Sequence, residues 1–201
     1  MSWLTNIRAR FARPLPDGND AHSAPANIDW RAFEDGLLVL LEQELEEFAS
    51  QHRHEIFYSL ALECNAHHRD VLLCANTPDA LERQGRHYAE DASPDAVARS
   101  VEDMRFAFGD WQYQGFNIDS PAWGERYYEE LAAGIDSLDQ PEDIEHFMES
   151  ACRALLRLEQ GEAIQGLKRT ADFRVACADH EETNAEGDAR LERIRAETLV
   201  A

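Results

Sequence analysis

The sequence predicts an α+β fold in which several amphipathic helices pack on a mainly antiparallel sheet of about four or more strands. Apolar residues recur at helical spacing in several stretches, and in others they alternate with period two, as in a strand. Prolines beside capping residues mark three helix starts. The 201 residues, of which 44% are hydrophobic, are enough to bury a core without a disulfide or metal.

A long first helix is predicted at Trp30–Gln51. Asp29 is placed as its N-cap, and Ile28 and Phe33 are placed as a hydrophobic staple. One apolar stripe is expected to face the core: Trp30, Phe33, Leu37, Leu41, Leu45 and Phe48. Three acidic residues lie off this stripe, on a side of the helix that we expect to be merely solvated: Glu42, Glu46 and Glu47.

An antiparallel hairpin is predicted to follow this helix. Residues 54–64 alternate between two faces, with one apolar side formed by Ile56, Tyr58, Leu60 and Leu62. Residues 69–76 form a second, shorter strand after a tight turn. This order sets Leu62 opposite Leu73.

The rest of the chain is predicted to alternate helices with two more strands. Proline follows a capping residue at three helix starts: Thr77-Pro78, Ser93-Pro94 and Ser120-Pro121. Residues 104–116 are predicted as a third strand and residues 172–178 as a fourth, because apolar residues alternate in both.

Two helical stripes lie between these strands, and a last helix follows them. The first stripe consists of Trp123, Tyr127, Leu131, Ile135 and Leu138. The second runs from Ile144 to Leu158 and ends at Gly161. Thr183 and Glu186 form a capping box that opens the last helix.

Residues 1–27 are predicted to be an N-terminal segment and linker, and residues 28–201 a single acidic α+β domain. In residues 1–13 the apolar side chains of Trp3, Leu4, Ile7 and Phe11 recur at helical spacing, and the only charges are Arg8, Arg10 and Arg13. A membrane-surface helix, an unattached terminus and packing on the acidic domain are the alternatives for this segment. We expect the fold not to need it.

The net charge is the unusual property of the composition. Forty acidic residues against nineteen basic ones give −21 at pH 7. Such a charge repels nucleic acid and anionic membranes and speeds association with basic proteins, although solubility alone is the simpler explanation. No secretory signal or membrane span is recognised, so a cytoplasmic location is predicted. The oligomeric state stays undetermined.

The cysteines predict neither a disulfide nor a metal site. Cys64, Cys74, Cys152 and Cys177 form no CxxC pair, and the hairpin order leaves Cys64 and Cys74 out of register. Zinc sites do use cysteine and histidine at the spacing found in Cys64, His67, His68 and Cys74. His52 and His54, which precede the strand, are further candidates for the same end of it. A second matching pair is missing, so no metal or cofactor is predicted.

No catalytic motif is recognised, and no catalytic residue is proposed. Strand alternation would separate Cys177 and Asp179 from His180, which argues against a nucleophile–base pair. Aromatics among carboxylates are typical of hot spots for an arginine- or lysine-rich partner. This predicts a partner-binding patch made of Asp110, Trp111, Tyr113, Asp119, Trp123 and Glu125. The alternative is that both tryptophans are core anchors.

Residues 56–63 (IFYSLALE), residues 71–77 (VLLCANT) and residues 105–111 (RFAFGDW) carry a family resemblance. With the helix that begins near Pro121, they resemble an uncharacterised bacterial domain-of-unknown-function family; Phe106 stands where that motif has tryptophan. The resemblance implies unknown activity and no catalytic residues. Many such proteins look like immunity proteins encoded beside polymorphic or contact-delivered toxins.

These observations lead to three functional hypotheses. The first is an immunity protein that binds and neutralises a cognate toxin, or another basic protein, by occlusion. The others are a small enzyme of unrecognised type, which should show a deep pocket with shifted titratable groups, and a regulatory protein-binding adaptor.

Overall fold

The computed structural model describes residues 28–90, 93–135, 138 and 140–198, so the predictions for residues 1–27 lie outside the described residues. In chain order the elements are α1 Trp30–Gln51, β1 Ile56–Asn65, β2 Asp70–Asn76, α2 Pro78–Ala89, α3 Pro94–Met104, a π-helix Trp123–Leu131, α4 Pro141–Gln160, β3 Lys168–Asp179 and α5 Asn184–Thr198. Short 3₁₀ turns join several of them.

The predictions for α1 are confirmed at both ends. The helix spans the predicted residues, and the Asp29 carboxylate accepts a hydrogen bond from the backbone N–H of Ala32 at 3.0 Å. The N-cap bond satisfies one of the free amides of the first turn. The predicted stripe is buried from Phe33 to Phe48, and Trp30 packs against the core at its edge.

The hairpin is confirmed with its register. β1 and β2 pair antiparallel, and Leu62 lies opposite Leu73. Cys64 lies opposite Val71, whereas Cys74 lies opposite Ala61. The two cysteines therefore lie on opposite faces of the sheet, because neighbouring positions on a strand point in opposite directions.

The predicted sheet is wrong in strand number and in direction. The sheet described by the structure is a mixed one of three strands in the order β2-β1-β3, in which β3 runs parallel to β1. The predicted fourth strand is therefore present as β3. It enters the sheet after a long connection through α4, and such a connection allows a strand to return in the same direction as its neighbour.

The predicted third strand at residues 104–116 does not form. Met104 ends α3, Phe108–Asp110 is a 3₁₀ turn, and Tyr113 makes only an isolated bridge with Ala75. Beside that bridge, the side chain of Asn117 forms hydrogen bonds with backbone groups of β2 that a neighbouring strand would otherwise form. Its Oδ1 accepts from Leu73 N at 2.7 Å, and its Nδ2 donates to the Val71 carbonyl at 2.9 Å.

The sheet separates two hydrophobic clusters. The larger one covers the face that carries Leu60, Leu62 and Val175 and includes side chains of α1, the π-helix, α4 and α5. The smaller one lies on the other face, where Phe108 and Trp111 pack on small side chains: Ala61, Cys74, Ala176 and Ala178. Small residues allow the irregular segment to approach the sheet closely, which compensates for the missing strand.

The later helices begin and end largely as predicted. The Thr77 hydroxyl caps α2 by accepting from Ala80 N, Gly161 follows the end of α4, and the Thr183–Glu186 capping box is formed in both directions. The helix that carries Trp123 is a π-helix that ends at Leu131, so the predicted helical stripe does not continue to Ile135 and Leu138. A 3₁₀ turn at Ala132–Gly134 follows, and Ile135 is extended. No helix in the described part of the chain has both the length and the hydropathy to cross a membrane.

Candidate protein-binding surface

Trp111 is a core residue of the smaller cluster. Only 3% of its surface is exposed. Its ring packs against Phe108 and Tyr58 at centroid distances of 4.9 and 5.9 Å, and its indole N–H donates to the Arg105 carbonyl at 3.2 Å. A buried and hydrogen-bonded indole supplies packing energy to the fold rather than contact area to a partner.

Trp123 is fully buried in the larger cluster, on the other face of the sheet. It stacks on Tyr127 with 4.6 Å between ring centroids and 18° between ring planes. Because the sheet lies between the clusters that hold Trp111 and Trp123, the two indoles do not form one patch. The binding role predicted for them stays a prediction that their burial does not support.

The remaining aromatic and acidic residues of the predicted patch are also apart. Asp110 accepts hydrogen bonds from Tyr88 of α2 at 2.8 Å and from Gln84 at 3.4 Å. Tyr113 lies at the end of α1, where its hydroxyl donates to Glu55 Oε1 at 2.6 Å. Both residues are therefore engaged within the fold, in contact with different elements.

Glu55 is the centre of a small titratable cluster. It accepts from Tyr113 and from His52 Nδ1, which lies 2.8 Å away. Burial by itself would raise the pKa of Glu55, but the bonds from Tyr113 and His52 outweigh it and lower that pKa. Burial, aided by the Glu55 carboxylate, raises the pKa of Tyr113 to about 12. The cluster ties the end of α1 to the segment beside β2.

Asp119 and Glu125 do lie on one surface, which the sequence did not link to α1. The π-helix and the turn before it lie beside α1: Arg126 donates to Gln43 Oε1 at 3.1 Å, and Ser120 Oγ donates to Glu44 Oε1 at 2.7 Å. We call the exposed carboxylates along this pair of helices the acidic face; they are Glu46, Glu47, Asp119, Glu125, Glu129 and Glu130.

Counter-ions are unevenly distributed over the described residues. Arg153, Arg190 and Arg193 form an ion-pair network with acids of α4 and α5 and of the turn before α5: Glu145, Glu149, Glu182 and Glu197. By contrast, within the part of the chain that the structure describes, no arginine forms an ion pair with Glu46, Glu125, Glu129 or Glu130. These four carboxylates of the acidic face are therefore not neutralised by an arginine of the described residues.

Glu44 is a buried acid beneath this face that the sequence analysis missed. Only 5% of its surface is exposed, because it lies on the buried side of α1 between Leu41 and Leu45. Its position within the apolar stripe was the available signal. Burial raises the pKa of Glu44, and the hydrogen bond from Ser120 offsets this only in part.

Glu44→Gln should increase the free energy of unfolding at about pH 7 and leave it nearly unchanged at about pH 4. A raised folded pKa favours the protonated acid, so its stabilising contribution is present below the unfolded pKa and is lost as the pH rises through the folded pKa. Glutamine stays neutral and still accepts from Ser120. Urea unfolding at both pH values would check this, with exposed Glu46→Gln as the control; a loss of stability at neutral pH would contradict it.

The histidine and cysteine candidates for a metal site are separated. Cys64 and Cys74 are buried on opposite faces of the sheet, whereas His67 and His68 are exposed in the turn. His52 precedes the other end of β1. Among the described residues, no group of three or more histidine, cysteine or acidic side chains has the arrangement to hold a metal ion.

Cys177, Asp179 and His180 likewise form no nucleophile–base pair. Cys177 is buried beside Cys64 and Cys152. The hydrogen bond with Cys152 acts to lower the pKa of Cys177, but the bond with Cys64 and burial outweigh it and raise that pKa well above the ordinary value. A buried thiol with a raised pKa is a weak nucleophile. Asp179 accepts from Ala66 N at 2.8 Å.

A shallow cleft of about 170 Å³ lies on the smaller cluster's side of the sheet. Phe106, Phe108, Arg174 and Asp188 line it around an alanine floor. The Arg174 guanidinium lies 3.4 Å from the Phe106 ring centroid and 3.4 Å from the Asp188 carboxylate. The guanidinium and the carboxylate that line the cleft therefore pair with each other. The acidic face remains the candidate functional surface.

Comparison with known proteins identifies the family. Residues 37–196 match a family model described as "Domain of unknown function (DUF4303)". No curated protein and no solved structure matches the chain significantly. The matched residues run from α1 to α5 and include every strand described above. The chain belongs to the DUF4303 family.

Proposed function

We propose that the protein is an immunity protein that binds a basic bacterial toxin and neutralises it by occlusion. The observation that carries this proposal is the acidic face, in which four exposed carboxylates form no ion pair with an arginine of the described residues: Glu46, Glu125, Glu129 and Glu130. Occlusion requires a complementary surface and no reacting group.

The charge of the protein suits such a partner. Proteins that act on nucleic acid are basic where they contact phosphates, and a carboxylate surface can occupy the same cationic site. A net charge of −21 also attracts a basic partner over long distances and raises the rate of association. The bound complex would then depend on local contacts of the acidic face.

The triple substitution Glu46→Lys, Glu125→Lys and Glu129→Lys should weaken binding to the basic partner by about 2 kcal/mol or more, roughly 30-fold in Kd. These side chains are exposed and make no ion pair with described residues, so the fold should tolerate the change. Titration calorimetry against the product of the neighbouring gene would measure the loss.

The matched control is Asp95→Lys, Glu102→Lys and Asp103→Lys on α3, whose exposed acids lie outside the acidic face. Both triples change the net charge equally, so long-range attraction is reduced alike and only local contacts differ. We expect the control to cost under about 1 kcal/mol. Equal losses in both triples would remove the acidic face from the proposal.

A cellular experiment tests the function itself. Co-expression of the protein should rescue cells from the product of the neighbouring gene, and the acidic-face triple should rescue poorly. Absence of a complex between the two proteins, or turnover of a substrate by the protein alone, would overturn the proposal.

The rate of association between the two proteins should fall as salt rises, because charges are screened over about 10 Å at 0.1 M salt.

A further inference from the structure

One side of α1 combines an exposed apolar residue, Val39, with three acids. Ala32, Asp35, Val39, Glu42 and Glu46 follow one another at steps of three and four residues, so they share one side of the helix. We call these five residues the outer face of α1. Val39 keeps 48% of its surface exposed, although large apolar residues on the opposite side of α1 are buried.

Glu42 lies one turn beyond Val39 and Glu46 two turns beyond it. No arginine of the described residues pairs with either acid. Asp35 lies one turn before it and is paired with Arg31 and Arg157. Glu46 also belongs to the acidic face. The outer face therefore presents an apolar centre with free carboxylates at one end, a surface that suits an amphipathic basic segment.

The chain itself contains a segment of that chemistry. Residues 1–13 hold Trp3, Leu4, Ile7 and Phe11, carry arginines at positions 8, 10 and 13, and include no acidic residue. This is the complement of the outer face in both charge and hydrophobicity. No other stretch of this length in the chain combines three arginines with the absence of acids.

The linker between residues 1–13 and the described domain is long enough to let this segment reach the outer face of α1. Residues 14–27 separate the segment from the start of the described residues, two positions before Trp30. A chain of this length has a mean span of about 20 Å. Val39 lies about 14 Å along α1 from Trp30. The linker therefore reaches the outer face without strain, and tethering gives an effective concentration in the millimolar range.

We propose that residues 1–13 dock on the outer face of α1, with apolar side chains over Val39 and arginines against Glu42 and Glu46. Exposed ion pairs are individually weak, so this docking is reversible. Because Glu46 is shared with the acidic face, the segment competes with a basic partner for that surface. The competition rests on the proposed function, whereas the docking does not.

Carbodiimide coupling in the intact chain tests the docking, since this reagent joins an amine to a carboxylate in contact with it. Lys168 is the only lysine of the sequence. Arg8→Lys keeps the charge and adds one amine at the proposed interface. Peptide mass spectrometry should find position 8 coupled to Glu42 or Glu46, and the coupling should disappear at about 0.5 M salt, where screening is strong.

Two variants separate docking from general attraction to acids. Val39→Gln keeps both target carboxylates and should lower the coupling yield about threefold or more. Ile56→Gln alters another exposed apolar residue, at the start of β1, and should leave the yield unchanged. Coupling of position 8 to Asp95, Glu102 and Asp103 of α3 as often as to Glu42 and Glu46, or no coupling at all, would overturn the docking. The reaction occurs within one chain, so its outcome is independent of any partner.

Discussion

Replacement of Trp123 by alanine should lower the free energy of unfolding by about 3–5 kcal/mol. The indole is fully buried and stacked on Tyr127, so its removal leaves a large cavity in the main core. A loss of this size is a large fraction of the stability of an ordinary domain. Urea unfolding monitored by circular dichroism would measure it directly.

The control for this prediction is Tyr88→Ala, an aromatic of α2 that is 53% exposed. Its hydroxyl donates to Asp110 at the surface, and its removal should cost under about 1 kcal/mol. If Trp123 were instead an interface residue, Trp123→Ala would weaken partner binding and leave unfolding unchanged. That outcome would contradict the buried position.

Asn117→Ala should lower the free energy of unfolding by about 2–6 kcal/mol, because each buried group left without a partner costs about 1–3 kcal/mol. Asn117 is fully buried and satisfies two backbone groups of β2, the Leu73 amide and the Val71 carbonyl. Alanine removes both bonds and leaves the outer edge of β2 open at this point.

Hydrogen exchange distinguishes this local effect from general destabilisation. The Leu73 amide should lose protection in Asn117→Ala under conditions where the core of α4 remains protected. Gln112→Ala is the control, since its exposed side chain accepts from Arg83 at the surface, and it should cost under about 1 kcal/mol. Unchanged protection of Leu73 together with unchanged stability would show that Asn117 does not hold the edge.

These two substitutions test different parts of the sheet, one of its faces and one of its edges. Trp123 fills the face that α1 and the π-helix cover, and Asn117 holds the segment that leads from the smaller cluster into that helix. Trp111 and Trp123 therefore serve the fold. The surface that we propose for recognition consists of carboxylates on the outer sides of α1 and the π-helix.

The distribution of arginines explains why charge alone did not locate this surface. In the sequence, acids recur from Asp17 to Glu197, so none is distinguished by its neighbours. In the structure, Arg153, Arg190 and Arg193 pair with Glu145 and Glu149 of α4 and with Glu182 before α5, whereas Arg126 of the π-helix bonds to Gln43. Which acids keep their charge free depends on contacts between distant segments.

The sequence by itself determined the local elements of this protein. The Asp29 cap, the Thr183–Glu186 capping box and the end of α4 at Gly161 involve residues within four positions of one another, so neighbouring side chains were enough to specify them. The hairpin register could be predicted for the same reason, because a short turn joins its two strands.

Tertiary structure alone decided the direction of β3, the fate of residues 104–116 and the sides on which Trp111 and Trp123 are buried. Each depends on which distant segment covers a sheet face or edge. The alternation at residues 104–108 suited a strand, but the edge of β2 was satisfied by Asn117, and small residues on the sheet accepted Phe108 and Trp111. A periodic pattern indicates that a side chain will be buried. The segment against which that side chain packs depends on the free energy of the whole fold.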